Sequence, residues 1–192
     1  MIMLHRAAIF LVISTMACGS SSATLGYSLV KTPGGTRVKI TCASRSILFP
    51  AEWKQVNNGD PGAAVIMELK KNEGTACLVA CSPISPGTSL KEYTLEKFTK
   101  ITARMIRSGF TVSSVKNDVV NEITPVAAAD PSRVSGFAYE LKAPPHLKSR
   151  QVLAISLFLK HRDRILAISF EMEPKMYPAM KKELRDIIGS LK

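Results

Sequence analysis

Apolar and polar residues alternate in short runs along most of this chain, and the period of the pattern changes twice. Residues 37–43 alternate around Val38, Ile40 and Cys42, the period-two signature of a half-buried strand. Residues 46–49 predict a further short strand, stopped by Pro50. The runs 64–70 and 75–82 flank Lys71-Asn72-Glu73-Gly74, which predicts a hairpin whose glycine is free to take positive φ. Residues 82–87 read as a loop. The period then lengthens. Ser89-Leu90-Lys91-Glu92 is a capping box that starts a helix. Leu95, Phe98, Thr102 and Met105 follow at helical spacing, with Leu90, Ile101 and Ile106 alongside. Lys91, Lys97, Lys100, Arg104 and Arg107 mark its wet side, and Gly109 ends it after Ser108. Strands resume at 110–115, 119–124 and 134–142, with Lys116-Asn117-Asp118 as a turn and 126–131 as a loop. Residues 151–159 and 165–171 are the strongest strands, and they predict a long antiparallel hairpin around Lys160-His161-Arg162-Asp163-Arg164. A last helix begins at Pro174, carries Met176 or Tyr177, Met180, Leu184, Ile187 and Ile188 on one stripe, and closes at Gly189.

Long strand runs separated by two helices argue for an α+β domain, an antiparallel sheet flanked by helices. Residues 24–35 are rich in Gly, Ser and Thr and read as a tether. Residues 36–192 form one domain, of a size that supports a single real core.

The first 23 residues read as an export signal. Arg6 precedes an uncharged run from Ala7 to Ala17. That run is too short to span a bilayer, which takes ~20 apolar residues, and it suits the h-region of a secretory signal. Two exits compete. Cleavage before Cys18, with Gly19-Ser20-Ser21-Ser22 behind it, resembles a bacterial lipobox, in which the cysteine is lipidated; Thr15 departs from the aliphatic residue preferred there. Cleavage after Ala23 would remove Cys18 with the signal.

The chain holds 26 Lys and Arg against 15 Asp and Glu, a formal charge of +11. Such a balance favours anionic partners. The cations are scattered, densest at Lys148, Arg150, Lys160, Arg162 and Arg164, with a smaller group at Lys181, Lys182 and Arg185. They lack the aromatic interleaving of RNA-binding modules, so nucleic acid is not the expected partner. Lys160, Arg162 and Arg164 form the candidate surface for an anionic partner. Cys42, Cys77 and Cys81 remain in the mature chain, in a compartment that permits disulfides. Cys77 and Cys81 share one strand and one face, ~13 Å apart, too far to bridge each other. Cys42 bridges one of them if its strand is adjacent; otherwise all three are buried small hydrophobes.

The order of these pieces resembles the PsbP-like superfamily, which includes PsbP and the DcrB-like exported proteins. The resemblance runs over about residues 40–191. It is carried by Ile47-Leu48-Phe49-Pro50-Ala51-Glu52-Trp53, the helix after the first hairpin, Gly136-Phe137-Ala138-Tyr139-Glu140 leading into the second hairpin, and the closing Ile187-Ile188-Gly189-Ser190-Leu191. It implies an α/β/α sandwich and accessory or binding roles rather than catalysis; proteins of this fold stabilise a photosystem, bind a small GTPase or hold hydrophobic segments.

No catalytic constellation is legible. His146 and His161 stand alone, and His161 lies among cations that disfavour a metal. Met172, Met176 and Met180 recur every four residues, a spacing that suits Cu(I) or, more simply, core packing. Trp53 reads as a core anchor. The expected function is a non-enzymatic exported binding protein without a cofactor, tethered through Cys18 and meeting an envelope protein or an anionic membrane surface. The alternatives are an exported enzyme whose site is assembled only in the fold, signalled by a buried carboxyl with a shifted pKa, and a chaperone with an exposed apolar groove.

Overall fold

The strongest alternations of the sequence meet in the middle of one sheet. The computed structural model describes residues 26–56, 64–71, 74–115, 117–124, 134–144 and 151–192. Within them, strands β4 (Trp53–Val56), β5 (Ala64–Leu69), β6 (Ala76–Pro83), β7 (Thr111–Val115), β8 (Val134–Lys142), β9 (Gln151–His161) and β10 (Arg164–Met172) form a seven-stranded sheet in the order β4-β5-β6-β10-β9-β8-β7. Every pairing is antiparallel. The hairpin β9–β10 lies at the centre, as two almost unbroken apolar runs should, because both faces there are covered.

A second, three-stranded sheet joins β1 (Tyr27–Thr32), β2 (Gly35–Ile40) and β3 (Arg45–Phe49). Residues 24–35 therefore are not all tether. Tyr27 and Leu29 pack against the core, while the polar residues between them hide the strand from a composition-based reading. The β1–β2 turn requires Gly35, whose φ is 135° and where a Cβ would meet the Phe49 carbonyl oxygen at 2.0 Å. The strand read over 37–43 stops at Ile40; Thr41–Ala43 is a 3-10 turn closed by Ser44 at φ 48°.

Among the described residues there are three α-helices: α1 (Leu90–Arg107), α2 (Asn117–Ile123) and α3 (Tyr177–Gly189), the last preceded by a 3-10 turn at Pro174–Met176. The capping box forms as the sequence demands, Ser89 Oγ accepting from the Glu92 N–H while Glu92 accepts from the Ser89 N–H. Helix α2 overturns the strand expected over 119–124. Val119 and Ile123 are four apart, so helical coiling puts both on the sheet, buried, where a strand would also have aligned them. β-branched content favoured the wrong period.

The two faces of the large sheet differ. On one, here the α3 face, Val65, Met67, Cys77, Val79, Ile155, Leu157, Ile168 and Phe170 pack against the small sheet, α2 and α3. Trp53 is 1 % exposed, stacks 5.6 Å from Phe49 and donates its Nε1–H to Glu183 Oε1 at 2.5 Å. On the other, the α1 face, Ile66, Leu78, Phe137, Tyr139, Leu141 and Phe158 pack against Leu90, Tyr93, Ile101 and Met105. Residues 126–131, His146, Lys148 and Arg150 lie outside the described residues, as does the leader with Cys18.

Candidate functional site

The β9–β10 turn is two residues long, and Arg162 sits in it at φ 55°. Alternation along the strands separates the expected patch. Lys160 shares the α1 face with Phe158 and Ile165, whereas Arg164 shares the α3 face with Leu166. Lys160 donates its Nζ–H to the Thr88 carbonyl at 3.2 Å, and the Ile84 N–H donates to the Asp163 carbonyl at 2.9 Å. The tip is thus clasped to the segment that leads into α1. Of the three cations Arg162 is exposed, whereas Lys160 and Arg164 are half-buried. The smaller group is engaged by neighbours, although Lys182 and Arg185 stay exposed. Lys181 pairs with Glu122 at 3.0 Å, Lys182 with Asp186 at 2.6 Å, and Arg185 donates to the Glu122 carbonyl at 2.8 Å. Tyr177 donates its hydroxyl to Glu122 at 2.6 Å; that bond and the Lys181 ammonium hold the Glu122 carboxyl below its ordinary range.

Helix α1 presents a different surface. Leu95 and Ile106, counted in the sequence pattern as part of the buried stripe, are 64 % and 59 % exposed. Eleven positions make three turns, so the two lie on one side of the helix, ~16 Å apart. Lys91, Lys100, Arg104 and Arg107 are exposed on the same helix. Lys97 is half-buried with its Nζ 5.2 Å from the Tyr93 ring centroid, and that burial lowers its pKa. Glu92 is engaged in the cap and Glu96 pairs with Lys100, so the acidic groups of this face are largely spoken for.

A third location is not among those that the residue pattern singles out. Inside the α1 face lie Tyr139, buried completely, and Glu171, 1 % exposed. Burial raises the pKa of both. The available signal was a single acidic residue closing the strongest apolar strand. Cys77 is a free, buried thiol and Cys81 is disulfide-bonded; both face the α3 side, as their spacing predicted. The Cys42 side chain lies outside those described. Met172 and Met180 are buried in the α3-face core, with Met176 packed against it. Among the described residues no group of three or more His, Cys, Asp and Glu side chains could hold a metal ion, and no helix is long and apolar enough to cross a membrane.

No family model matches the chain, and no curated protein does. Solved structures do. The cyanobacterial PsbP (CyanoP) from Synechocystis sp. PCC 6803 superposes with a TM-score of 0.51 at 12 % identity, over 91 % of this chain and 96 % of that one. The Ran-binding protein Mog1p of Saccharomyces cerevisiae gives 0.50 at 9 % identity, over 88 % and 96 %. The chain therefore has the PsbP-like α+β fold that the sequence resemblance implied.

Proposed function

We propose that this protein is an exported, non-enzymatic binding protein of PsbP-like fold, tethered by a lipid on Cys18, that lays the outer face of α1 on an anionic membrane leaflet. The observation that carries this reading is the exposure of Leu95 and Ile106 on a helix that also exposes Lys91, Lys100, Arg104 and Arg107. Leu95 and Ile106 enter the headgroup region and Lys91, ~40–60° round the helix from them, meets its phosphates, while Lys100, Arg104 and Arg107, ~100–180° round, add attraction through their charge. Arg162 extends the surface from the clasped hairpin tip at the N-terminal end of α1. A lipid chain plus a basic surface is a workable two-signal attachment.

The disulfide at Cys81 supports export, because such bonds persist in oxidising compartments. Cys42 is the proposed partner: its turn packs on β10, the strand beside β6. The enzyme alternative gains one favourable observation, the buried Glu171 carboxyl with its raised pKa, but that group is sealed from solvent. The chaperone alternative would need a broad apolar groove, whereas the exposed large hydrophobics among the described residues are Val30, Leu95 and Ile106.

Co-sedimentation with vesicles tests the docking. The mature chain is expected to pellet with phosphatidylglycerol-rich vesicles and not with pure phosphatidylcholine, and the Leu95→Asp/Ile106→Asp double variant is expected to stay in solution. Equal pelleting of the two proteins would sink the reading. Intact mass of protein from the native membrane fraction tests the tether, which requires a chain that begins at Cys18 and carries a diacylglyceryl adduct.

A further inference from the structure

The two edges of the small sheet differ. Strand β3 is covered on its outer side by the last residues of the chain: the Leu48 N–H donates to Ser190 Oγ at 2.8 Å, and Ser46 and Lys192 exchange backbone hydrogen bonds at 2.9 and 3.0 Å. Strand β1 pairs with β2 alone among the described strands. Its other side offers backbone N–H and C=O groups, the template on which an extended segment of another chain adds as a strand. Solvent reaches this edge, where Ser28 and Lys31 are exposed and Val30 is 37 % exposed.

The outward face beside that edge carries one sign of charge. Residues 26–49 hold Lys31, Arg37, Lys39 and Arg45 and no Asp or Glu. Alternation turns Tyr27, Leu29, Val38, Ile40, Ile47 and Phe49 toward the core and leaves two rows outside. Ser28, Lys39 and Ser46 form one, and Val30, Arg37 and Leu48 the other. Arg37 is half-buried and donates its Nη1–H to Ser46 Oγ at 3.2 Å, whereas Lys39 is exposed. Among the described residues neither cation is in an ion pair.

We propose that the β1 edge binds an acidic extended segment of a partner protein, added as a fourth strand of the small sheet. Side chains of that strand opposite Ser28 and Val30 face outward with them. Ser28 is small, so a carboxylate opposite it meets the Lys39 ammonium over the serine, their backbones two strand spacings or ~10 Å apart. Opposite Val30 the face calls for an apolar residue. The segment is therefore acidic at one position and apolar two residues away. A second copy of this chain does not fit, because its own acid-free β1 and β2 would set cation against cation. A membrane does not fit either, since it offers no strand to pair with the backbone. The small sheet and α1 lie on opposite sides of the large sheet, so a chain laid on a leaflet through α1 still presents this edge to solvent.

The test uses the mature chain and the end-capped peptide Thr-Glu-Val-Val-Val-Glu-Thr, which puts a glutamate opposite Ser28 and a valine opposite Val30 in either strand direction. Titration calorimetry is expected to show this peptide bound, and Thr-Lys-Val-Val-Val-Lys-Thr bound at least tenfold more weakly. Lys39→Glu is expected to weaken the glutamate peptide about tenfold and to strengthen the lysine peptide by a similar factor, a reversal that a misfolded variant does not give. The glutamate peptide N-methylated on its three valines is expected not to bind. Bound glutamate peptide is expected to slow amide exchange within Tyr27–Thr32 and not within Leu90–Arg107. No binding of the glutamate peptide overturns the proposal, as does equal affinity for the two peptides. Undiminished binding of the N-methylated peptide also overturns it and means charge attraction only. Slowed exchange at Leu90–Arg107 in place of Tyr27–Thr32 overturns it too.

Discussion

The two faces of the seven-stranded sheet are built from the same strands and used differently. The α3 face is closed by a second sheet and two helices, and among its buried residues are Trp53, Phe49, Phe170 and Met67. Its polar links serve the closure: Trp53 to Glu183, the Ser190 hydroxyl accepting the Leu48 N–H at 2.8 Å, and Ser46 exchanging backbone bonds with Lys192 at 2.9 and 3.0 Å. The α1 face has one described helix, a floor with five alanines, two buried polar atoms without a hydrogen-bond partner and, on the outside of that helix, the exposed Leu95 and Ile106. A domain that stabilises itself through one side of its sheet is free to bind on the other.

Substitutions should separate the two sides. The largest effect belongs to the α3 face. Trp53→Ala is expected to cost about 3–5 kcal/mol in chemical denaturation, because it opens a cavity and orphans Glu183. A cost below about 1 kcal/mol would mean that this face is not the stabilising one. Reduction of the Cys81 disulfide, or Cys42→Ser, is expected to lower stability by about 2–4 kcal/mol, with one further thiol titrating beside Cys77 in the unfolded variant. An unchanged thiol count in Cys42→Ser would reassign the partner.

The α1 face is expected to answer to pH. Burial raises the Glu171 pKa in the folded chain, whereas an unfolded glutamate ionises near pH 4.5. Above that pH the unfolded state binds fewer protons, so this group's contribution is full below pH 4.5 and is lost as pH rises, by at most ~1.4 kcal/mol per unit, until Glu171 ionises. Glu171→Gln removes that slope, and the stability gap between variant and wild type should widen in the variant's favour with rising pH. Parallel curves would contradict the burial argument. Ser89→Ala should cost about 1 kcal/mol through loss of the cap. Smallest in stability, within about 0.5 kcal/mol, is the Leu95→Asp/Ile106→Asp variant, since both side chains are exposed.

The α3 face was the more legible of the two. The stripe Met180, Leu184, Ile187 and Ile188 and the anchor Trp53 follow from spacing alone. Strands β5, β6, β8, β9 and β10 were visible because apolar runs of the right length were punctuated by Gly, Pro or charge. Strand β1 was missed because only Tyr27 and Leu29 of its six residues pack inward, and α2 because Val119, Val120 and Ile123 favour a strand by propensity while their packing chose a helix. The features of the outer surface and the buried polar row were least visible. Leu95 and Ile106 fall near the apolar stripe of α1, and only the position of the sheet decides that they face outward. Lys160 and Arg164 look adjacent until the two-residue turn puts them on opposite faces. Glu171 and Tyr139 are far apart in sequence and meet only through the β8–β9–β10 register.

Hydrogen–deuterium exchange of the mature chain with and without anionic vesicles tests the division of labour most directly. Added protection is expected over Leu90–Arg107 and the hairpin tip at Arg162, with Tyr177–Gly189 and the small sheet unchanged. Protection of α3 or of Tyr27–Thr32 instead, or none at all, would contradict it.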